Sequence, residues 1–272
     1  MKRPFFSIII PTLNEEKFIP KLLDSIAAQT VKDFEVIVVD GPSKDKTKEV
    51  VLAYKKRLPL TLVSSAKGSL PLQRNLGAAS AKGEWFVFID ADSVLHPYFI
   101  ERIIFYIREK HPVFFTTWAL PDSELTHDSI FTLLTNIYWE STVLINRPAA
   151  PGPLTVVDAQ AFRSVGGYDE AHDYNEDVDL GLRLQAHGYQ FSVFRESLYV
   201  WSMRRIRREG KMKVMNQYIL SMLPVLIFKK PLKHMPGYTM GGHLYSSKKR
   251  IQRSVLKSYE RKLKELMKDI FD

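Results

Sequence analysis

Phe6-Ser7-Ile8-Ile9-Ile10-Pro11-Thr12-Leu13-Asn14-Glu15-Glu16, answered by Glu35-Val36-Ile37-Val38-Val39-Asp40-Gly41, decides the fold. Phe6 to Ile10 and Glu35 to Val39 are short apolar runs rich in β-branched residues, as buried strands are. Lys17 to Ala28, between them, carries Phe18, Leu22, Leu23 and Ile26 at helical spacing. This is a strand, helix, strand unit, and the pattern continues outward. Thr47 to Lys56 reads as a helix, Leu60 to Ser64 as a third strand, Leu72 to Ala81 as a helix and Trp85 to Ile89 as a fourth strand. Such alternation predicts a mostly parallel central sheet flanked by helices, with ligands bound beyond the carboxyl ends of the strands.

Farther along, a helix from Tyr98 to Glu109 leads into Val113 to Trp118, and Ile130 to Ile145 reads as another helix. The loop Pro148 to Pro153 is too proline-rich for regular structure, and Val165 to Glu170 is a turn. Asp177 to His187 should form a helix, with Gly188 supplying its C-terminal cap.

With 272 residues, 45% of them hydrophobic, the chain can bury one large core. It has no cysteine, which excludes disulfides, zinc-thiolate sites and thiol nucleophiles. The apolar run after Met1-Lys2-Arg3-Pro4 stops at Pro11 without a small-residue cleavage site, so it reads as a first strand and the protein as cytoplasmic. Charge is uneven. Residues 203–272 hold 18 Lys and Arg against 5 Asp and Glu, an excess of 13, so against +9 overall the remainder is acidic by 4. A basic tail on an acidic body points to an anionic partner, and an anionic membrane surface is expected rather than nucleic acid. Within the tail, the apolar run Tyr218 to Phe228 is too short to span a bilayer, is interrupted by Pro224 and is flanked by basic residues. It suits a segment lying in the membrane interface, or a core helix.

Several clusters can carry chemistry. Asp90-Ala91-Asp92 follows four apolar residues and places two carboxylates at a strand end, where they repel unless a cation such as Mn²⁺ or Mg²⁺ joins them. Pro11-Thr12-Leu13-Asn14-Glu15 gathers polar groups after the first strand; it serves equally as a helix start capped by Thr12 or Asn14. Asp40, beside Gly41, can accept from a base or ribose, or cap a turn. Arg74, in Gln73-Arg74-Asn75-Leu76-Gly77, can reach phosphate or the carboxylates. Asn175-Glu176-Asp177-Val178-Asp179 offers carboxylates at a helix start, where capping and general-base roles both fit. Arg204 and Arg205, in Arg204-Arg205-Ile206-Arg207-Arg208, can clamp a diphosphate, bind lipid or solvate a helix. His96, His111, His172 and His187 show no metal-ligand spacing.

In this order, Ser7 to Glu15, Val38-Val39-Asp40-Gly41, Arg74-Asn75-Leu76-Gly77, Phe88-Ile89-Asp90-Ala91-Asp92, Val165-Gly166-Gly167-Tyr168-Asp169-Glu170 and Glu176-Asp177 resemble family 2 glycosyltransferases of the GT-A (nucleotide-diphospho-sugar transferase) fold. The resemblance covers roughly residues 5–210. It implies a GT-A domain over 1–210, with a nucleotide-sugar half (1–93) and an acceptor half (94–210), followed by a basic helical appendage over 211–272. It further implies that Pro11, Thr12, Asn14, Glu15 and Asp40 hold the nucleoside, that Asp90, Ala91 and Asp92 hold ribose and metal with Asp92 the more direct ligand, and that Asp177 is the catalytic base. Arg74, Arg204 and Arg205 would meet the diphosphate. The expected reaction moves a sugar from a nucleotide-sugar donor to a hydroxyl of a lipid-linked or glycan acceptor, with inversion. Processive members carry Gln-x-x-Arg-Trp after the base; Trp201-Ser202-Met203-Arg204-Arg205 departs from it, which implies a single transfer. A nucleotidyltransferase would show a Gly-rich basic loop after the first strand, and a dinucleotide oxidoreductase a Gly-x-Gly-x-x-Gly turn. Neither is present. A non-catalytic nucleotide-sugar or lipid-binding module would keep the pocket without turnover.

Overall fold

The computed structural model describes residues 3–235. One eight-stranded sheet, in the order β3-β2-β1-β4-β7-β6-β8-β5, runs through it. The first half matches the sequence pattern closely: β1 (Phe6–Thr12), α1 (Ile19–Ala27), β2 (Phe34–Asp40), α2 (Thr47–Ala53), β3 (Leu60–Ser64), α3 (Leu70–Ser80) and β4 (Trp85–Ile89). β1, β2, β3 and β4 pair in parallel. Alternation along each strand divides the core between the two faces. Ile8, Ile10, Val87 and Ile89 join one buried cluster. Ile9, Phe86 and Phe88 join the other, where Phe162 and Tyr168 meet the Phe88 ring at 5.1 Å. Fully burying a side chain of this size contributes about 1.5–3 kcal/mol.

The second half departs from simple alternation. β5 (Val94–Leu95) and α4 (Phe99–Lys110) are followed by β6 (Phe114–Pro121), α5 (Thr126–Leu144), β7 (Leu154–Asp158), α6 (Ala159–Ser164), α7 (Glu176–Ala186) and β8 (Phe191–Trp201). β7, which no periodicity marked, inserts between β4 and β6 and runs antiparallel to both, so the sheet is mixed. β8 pairs in parallel with β6 across a register shift near Trp118. That shift and the polar pair Arg195-Glu196 hide its alternation. Each polar residue has a partner elsewhere: Arg195 meets Glu140, and Glu196 receives Arg102 and Tyr106. The pairing directions bring Thr12, Asp40, Ile89, Pro121 and Trp201 to one edge of the sheet. The proline-rich loop enters β7 at that same edge.

Two short-range expectations change. Neither Thr12 nor Asn14 caps a helix, because β1 extends through Thr12 and α1 begins only at Ile19. Pro224 does not interrupt its segment: α8 (Arg204–Glu209) is followed by α9 (Lys211–Phe228), which passes through the proline and ends at Lys229 in left-handed conformation. Pro224 removes the amide that would bond the Leu220 carbonyl, so the helix continues past one missing ladder bond for its final turn. The appendage beyond residue 235 lies outside the described residues.

α3 lies close on the sheet because Gly77 lets it. A Cβ there would sit 2.4 Å from Ile9 Cγ2 and 3.1 Å from Val39 Cγ2. Gly77→Ala gains about 1 kcal/mol of helix propensity but overpacks this contact, so we expect a net destabilisation of about 1–2 kcal/mol, read as a lower denaturant midpoint at unchanged slope.

Candidate active site

At the strand-end edge a cavity of about 600 Å³ opens between the sheet, the proline-rich loop, α7 and the helices α5, α8 and α9. Pro11, Thr12, Glu15, Arg74, Asp90, Ala91, Asp92, Asp177, Arg204 and Arg205 all line it. These are ten of the residues singled out from sequence; Asn14 and Asp40 stand apart. Asn14, at φ 56°, turns away so that its side chain accepts from the Lys44 amide. Asp40 is fully buried beneath the edge, accepting from Thr12 (2.8 Å) and Ser43 (2.7 Å) at Oδ1. Its Oδ2 has no hydrogen-bond partner among the described residues, although Lys48 Nζ lies 3.9 Å away. Burial raises its pKa.

The two aspartates of Asp90-Ala91-Asp92 are held apart by different arginines. Arg74, fully buried, reaches Asp90 at 3.3 Å, Glu176 at 2.7 Å and the Gly152 carbonyl at 2.9 Å. Arg204 grips Glu15 with both terminal nitrogens (2.7 and 2.8 Å) and Asp92 with Nε (2.7 Å). Arg205 instead turns to Glu209 and Gln217. Gln73 donates to the carbonyls of Thr12 and Val39, stitching the ends of β1 and β2. Asn75 binds the backbone of Tyr168 in both directions and ties α3 to the Gly166-Gly167-Tyr168 turn.

α7 places Glu176 and Asp177 side by side, since Asn175 at φ 57° turns the chain sharply into the helix. Glu176 pairs with Arg74 and Asp179 with Arg183, while Asp177 faces the cavity. A Cβ on Gly152 would lie 3.1 Å from Asp177 Oδ2, so the loop glycine leaves room for that carboxylate. Burial, then the charge of Glu176, raises the Asp177 pKa, with Arg74 opposing. Burial also pushes Glu15 and Asp90 up to about 7, against the pull of Arg204 and Arg74 respectively.

Five carboxylates and three guanidinium groups line the cavity, a surplus of negative charge. The donor set therefore suits a hard divalent cation: Asp90 and Asp92 offer carboxylate oxygens at one strand end, and Asp90 is raised partly by the charge of Asp92. Sequence reading passed over Gln73, Gly152 and Tyr138. Gln73 lay within a motif already quoted but was given no role there, and nothing marked a single glycine in a proline-rich loop or a tyrosine in an apolar helix. It also found no metal spacing among the histidines. The fold nonetheless brings His172 within 3.7 Å of Asp169 and 3.9 Å of Asp179, within metal-bridging reach. Arg183 and Lys233 already supply positive charge to those two aspartates, and none of the three residues lines the cavity.

Arg74→Leu strands Glu176 and Asp90 without their shared cation. We expect a loss of about 3–5 kcal/mol, measured by chemical denaturation, whereas Arg205→Leu should cost less, because Arg205 is itself partly exposed and one of its two partners, Gln217, carries no charge.

Comparison with known proteins fits this geometry. Residues 7–152, more than half the chain, match the family described as Glycosyl transferase family 2. An uncharacterized glycosyltransferase of Haemophilus influenzae is 30% identical over 185 residues, covering 65% of this chain and 61% of that protein. A PGL/p-HBAD biosynthesis glycosyltransferase of Mycobacterium tuberculosis is 33% identical over 151 residues, covering 54% and 55%. The chain thus spans less than two thirds of these relatives. Among solved structures, S. aureus TarS 1-349 in complex with UDP-GlcNAc superposes with a TM-score of 0.60 at 22% identity, covering 72% of this chain and 58% of that one. The mannosyltransferase PcManGT from Pyrobaculum calidifontis, in complex with GDP-Man and Mn²⁺, gives 0.61 at 21% identity, covering 83% and 69%. The architecture is that of the GT-A fold, and on the extent of the family match the chain belongs to glycosyl transferase family 2.

Proposed function

We propose that this chain is an inverting glycosyltransferase, dependent on Mn²⁺ or Mg²⁺, that moves one sugar from a nucleoside-diphosphate sugar to the hydroxyl of a lipid-linked or glycan acceptor. The observation that carries the reading is the shared cavity: Asp177 faces the same space as Asp90 and Asp92, from the opposite half of the fold. That UDP-GlcNAc and GDP-Man occupy structural neighbours supports a donor of this class. Residues 1–93 would take the donor and 94–210 the acceptor.

In this reading Asp177 accepts the acceptor's hydroxyl proton as that oxygen forms its bond to the anomeric carbon. The bond from that carbon to the diphosphate oxygen breaks, and the electron pair leaves with the nucleoside diphosphate. A single displacement inverts the configuration. Asp92 and Asp90 would hold the cation, which when bound neutralises charge on the diphosphate. Arg204 and Arg205 offer guanidinium groups to the leaving diphosphate. Pro11, Thr12, Asn14 and Glu15 would border the nucleoside. Asp40, whose buried Oδ2 lacks a hydrogen-bond donor among the described residues, would receive a base or ribose donor. The basic, apolar C-terminal segment supports a peripheral enzyme at the cytoplasmic face of a membrane, consistent with the absence among the described residues of any helix long and apolar enough to cross one.

The test is a panel of UDP-, GDP- and dTDP-sugars with Mn²⁺, Mg²⁺ or chelator. Nucleoside diphosphate release from one donor should vanish with chelator and fall about 10²–10⁴-fold in Asp177→Asn. A chain that binds none of these donors in any metal overturns the reading. pH supplies a second check. Asp177 works only when ionised, and its pKa is raised from 3.8 to about 7. kcat/KM should therefore rise with pH to a plateau, with its acidic limb centred near 7. A rate unchanged between pH 5 and 8 would exclude Asp177 as the base.

A further inference from the structure

The cavity wall facing away from the aspartates is apolar, and it does not stop at the cavity. Leu134 and Tyr138 of α5, and Met215, Ile219 and Leu226 of α9, line the cavity and are also each at least 36% exposed, so they form its mouth. Beyond the mouth the same two helices continue the apolar surface with Leu133, Ile137 and Leu144 on α5 and Leu220, Ile227 and Phe228 on α9. Leu144 is 87% and Phe228 67% exposed. Water-facing surfaces scatter such side chains singly; here they gather on two helices around one opening.

Charge selects what covers this face. From Gly210 to Tyr259 the chain has ten Lys and Arg and no Asp or Glu. Lys229 and Lys230 are exposed directly after Ile227-Phe228. On α5 the acidic side chains are turned inward: Asp128 is buried and receives Ser123, and Glu140 is held by Trp118 and Arg195. The mouth is therefore apolar at its centre and cationic at its edge, with no acidic side chain exposed on either helix. Among the described residues no helix, α9 included, is long and apolar enough to cross a bilayer.

We propose that α5 and α9 together seat the cavity mouth on an anionic lipid surface, so that Asp177 faces hydroxyls presented from the lipid side. The role of Asp177 rests on the glycosyltransferase reading; the docking surface does not. The test is flotation of the full chain with phosphatidylcholine vesicles, with and without phosphatidylglycerol. The comparison variant carries Ile137→Gln, Ile227→Gln and Phe228→Gln, three exposed residues outside the cavity lining. Wild type should partition at least about tenfold more strongly onto the anionic vesicles, less so at high salt, and the triple variant should lose about tenfold or more of that binding. Its metal-dependent donor hydrolysis in vesicle-free buffer and its melting curve should match wild type. Equal partitioning of the two proteins, or none by wild type, overturns the proposal. So does a dimer in light scattering that the triple substitution dissociates, since that assigns the face to a second copy. Donor hydrolysis absent from both proteins would count against the glycosyltransferase reading alone, leaving the flotation result to stand on the surface.

Discussion

Arg74 is the interaction on which the site depends. Its guanidinium is fully buried, yet it reaches three segments far apart in sequence: Asp90 at the end of β4, the Gly152 carbonyl in the proline-rich loop and Glu176 at the start of α7. Burial opposes its charge, while Tyr168, Glu176, Asp90 and Asp177 favour it, and the net effect keeps the proton bound more tightly than usual. A buried cation of this kind adds little net stability compared with an apolar side chain of the same size, but it fixes geometry. Here it fixes the distance between the two halves of the cavity. Asn75, the next residue, repeats the theme by binding the Tyr168 backbone.

Crowding carboxylates around two arginines has an electrostatic consequence. Glu15, Asp90 and Asp177 are each raised towards neutrality, chiefly because burial disfavours their charged forms. Structural ion pairs usually hold acids below their ordinary range, as Arg207 does for Asp122. The cavity thus differs from the surface in holding its acids where burial outweighs the pull of the arginines.

What could be read from sequence followed from periodicity and adjacency. The parallel half was legible because each of its strands is a short, mostly apolar run and each helix keeps its spacing. The strand ends then placed Pro11 to Glu15 and Asp90 to Asp92 together without further information. β7 was hidden because Leu154 to Asp158 is a short run pressed between a proline-rich loop and a helix, and only its two antiparallel neighbours make it a strand. The cluster of Asp169, His172 and Asp179 was hidden because it spans a turn and a helix, and no one-dimensional spacing records that approach. Asp40 shows the opposite failure: its strand-end position was legible, but not that it would be fully buried with Thr12 and Ser43 donating to it.

Arg204 stands at the first position of α8, and α8 leads directly into α9. The same side chain that bridges Glu15 and Asp92 therefore ties the C-terminal helices to the segments that follow β1 and β4. Any cation that claims Asp92 must compete with that tie. By reciprocity of linked equilibria, a displacement of α8 that broke the Arg204–Asp92 contact would change the affinity of Asp92 for a cation by the same factor that a cation at Asp92 would change the equilibrium of that displacement. One guanidinium group thus joins the segment after β4 to the start of α8, so the two cannot separate without breaking it.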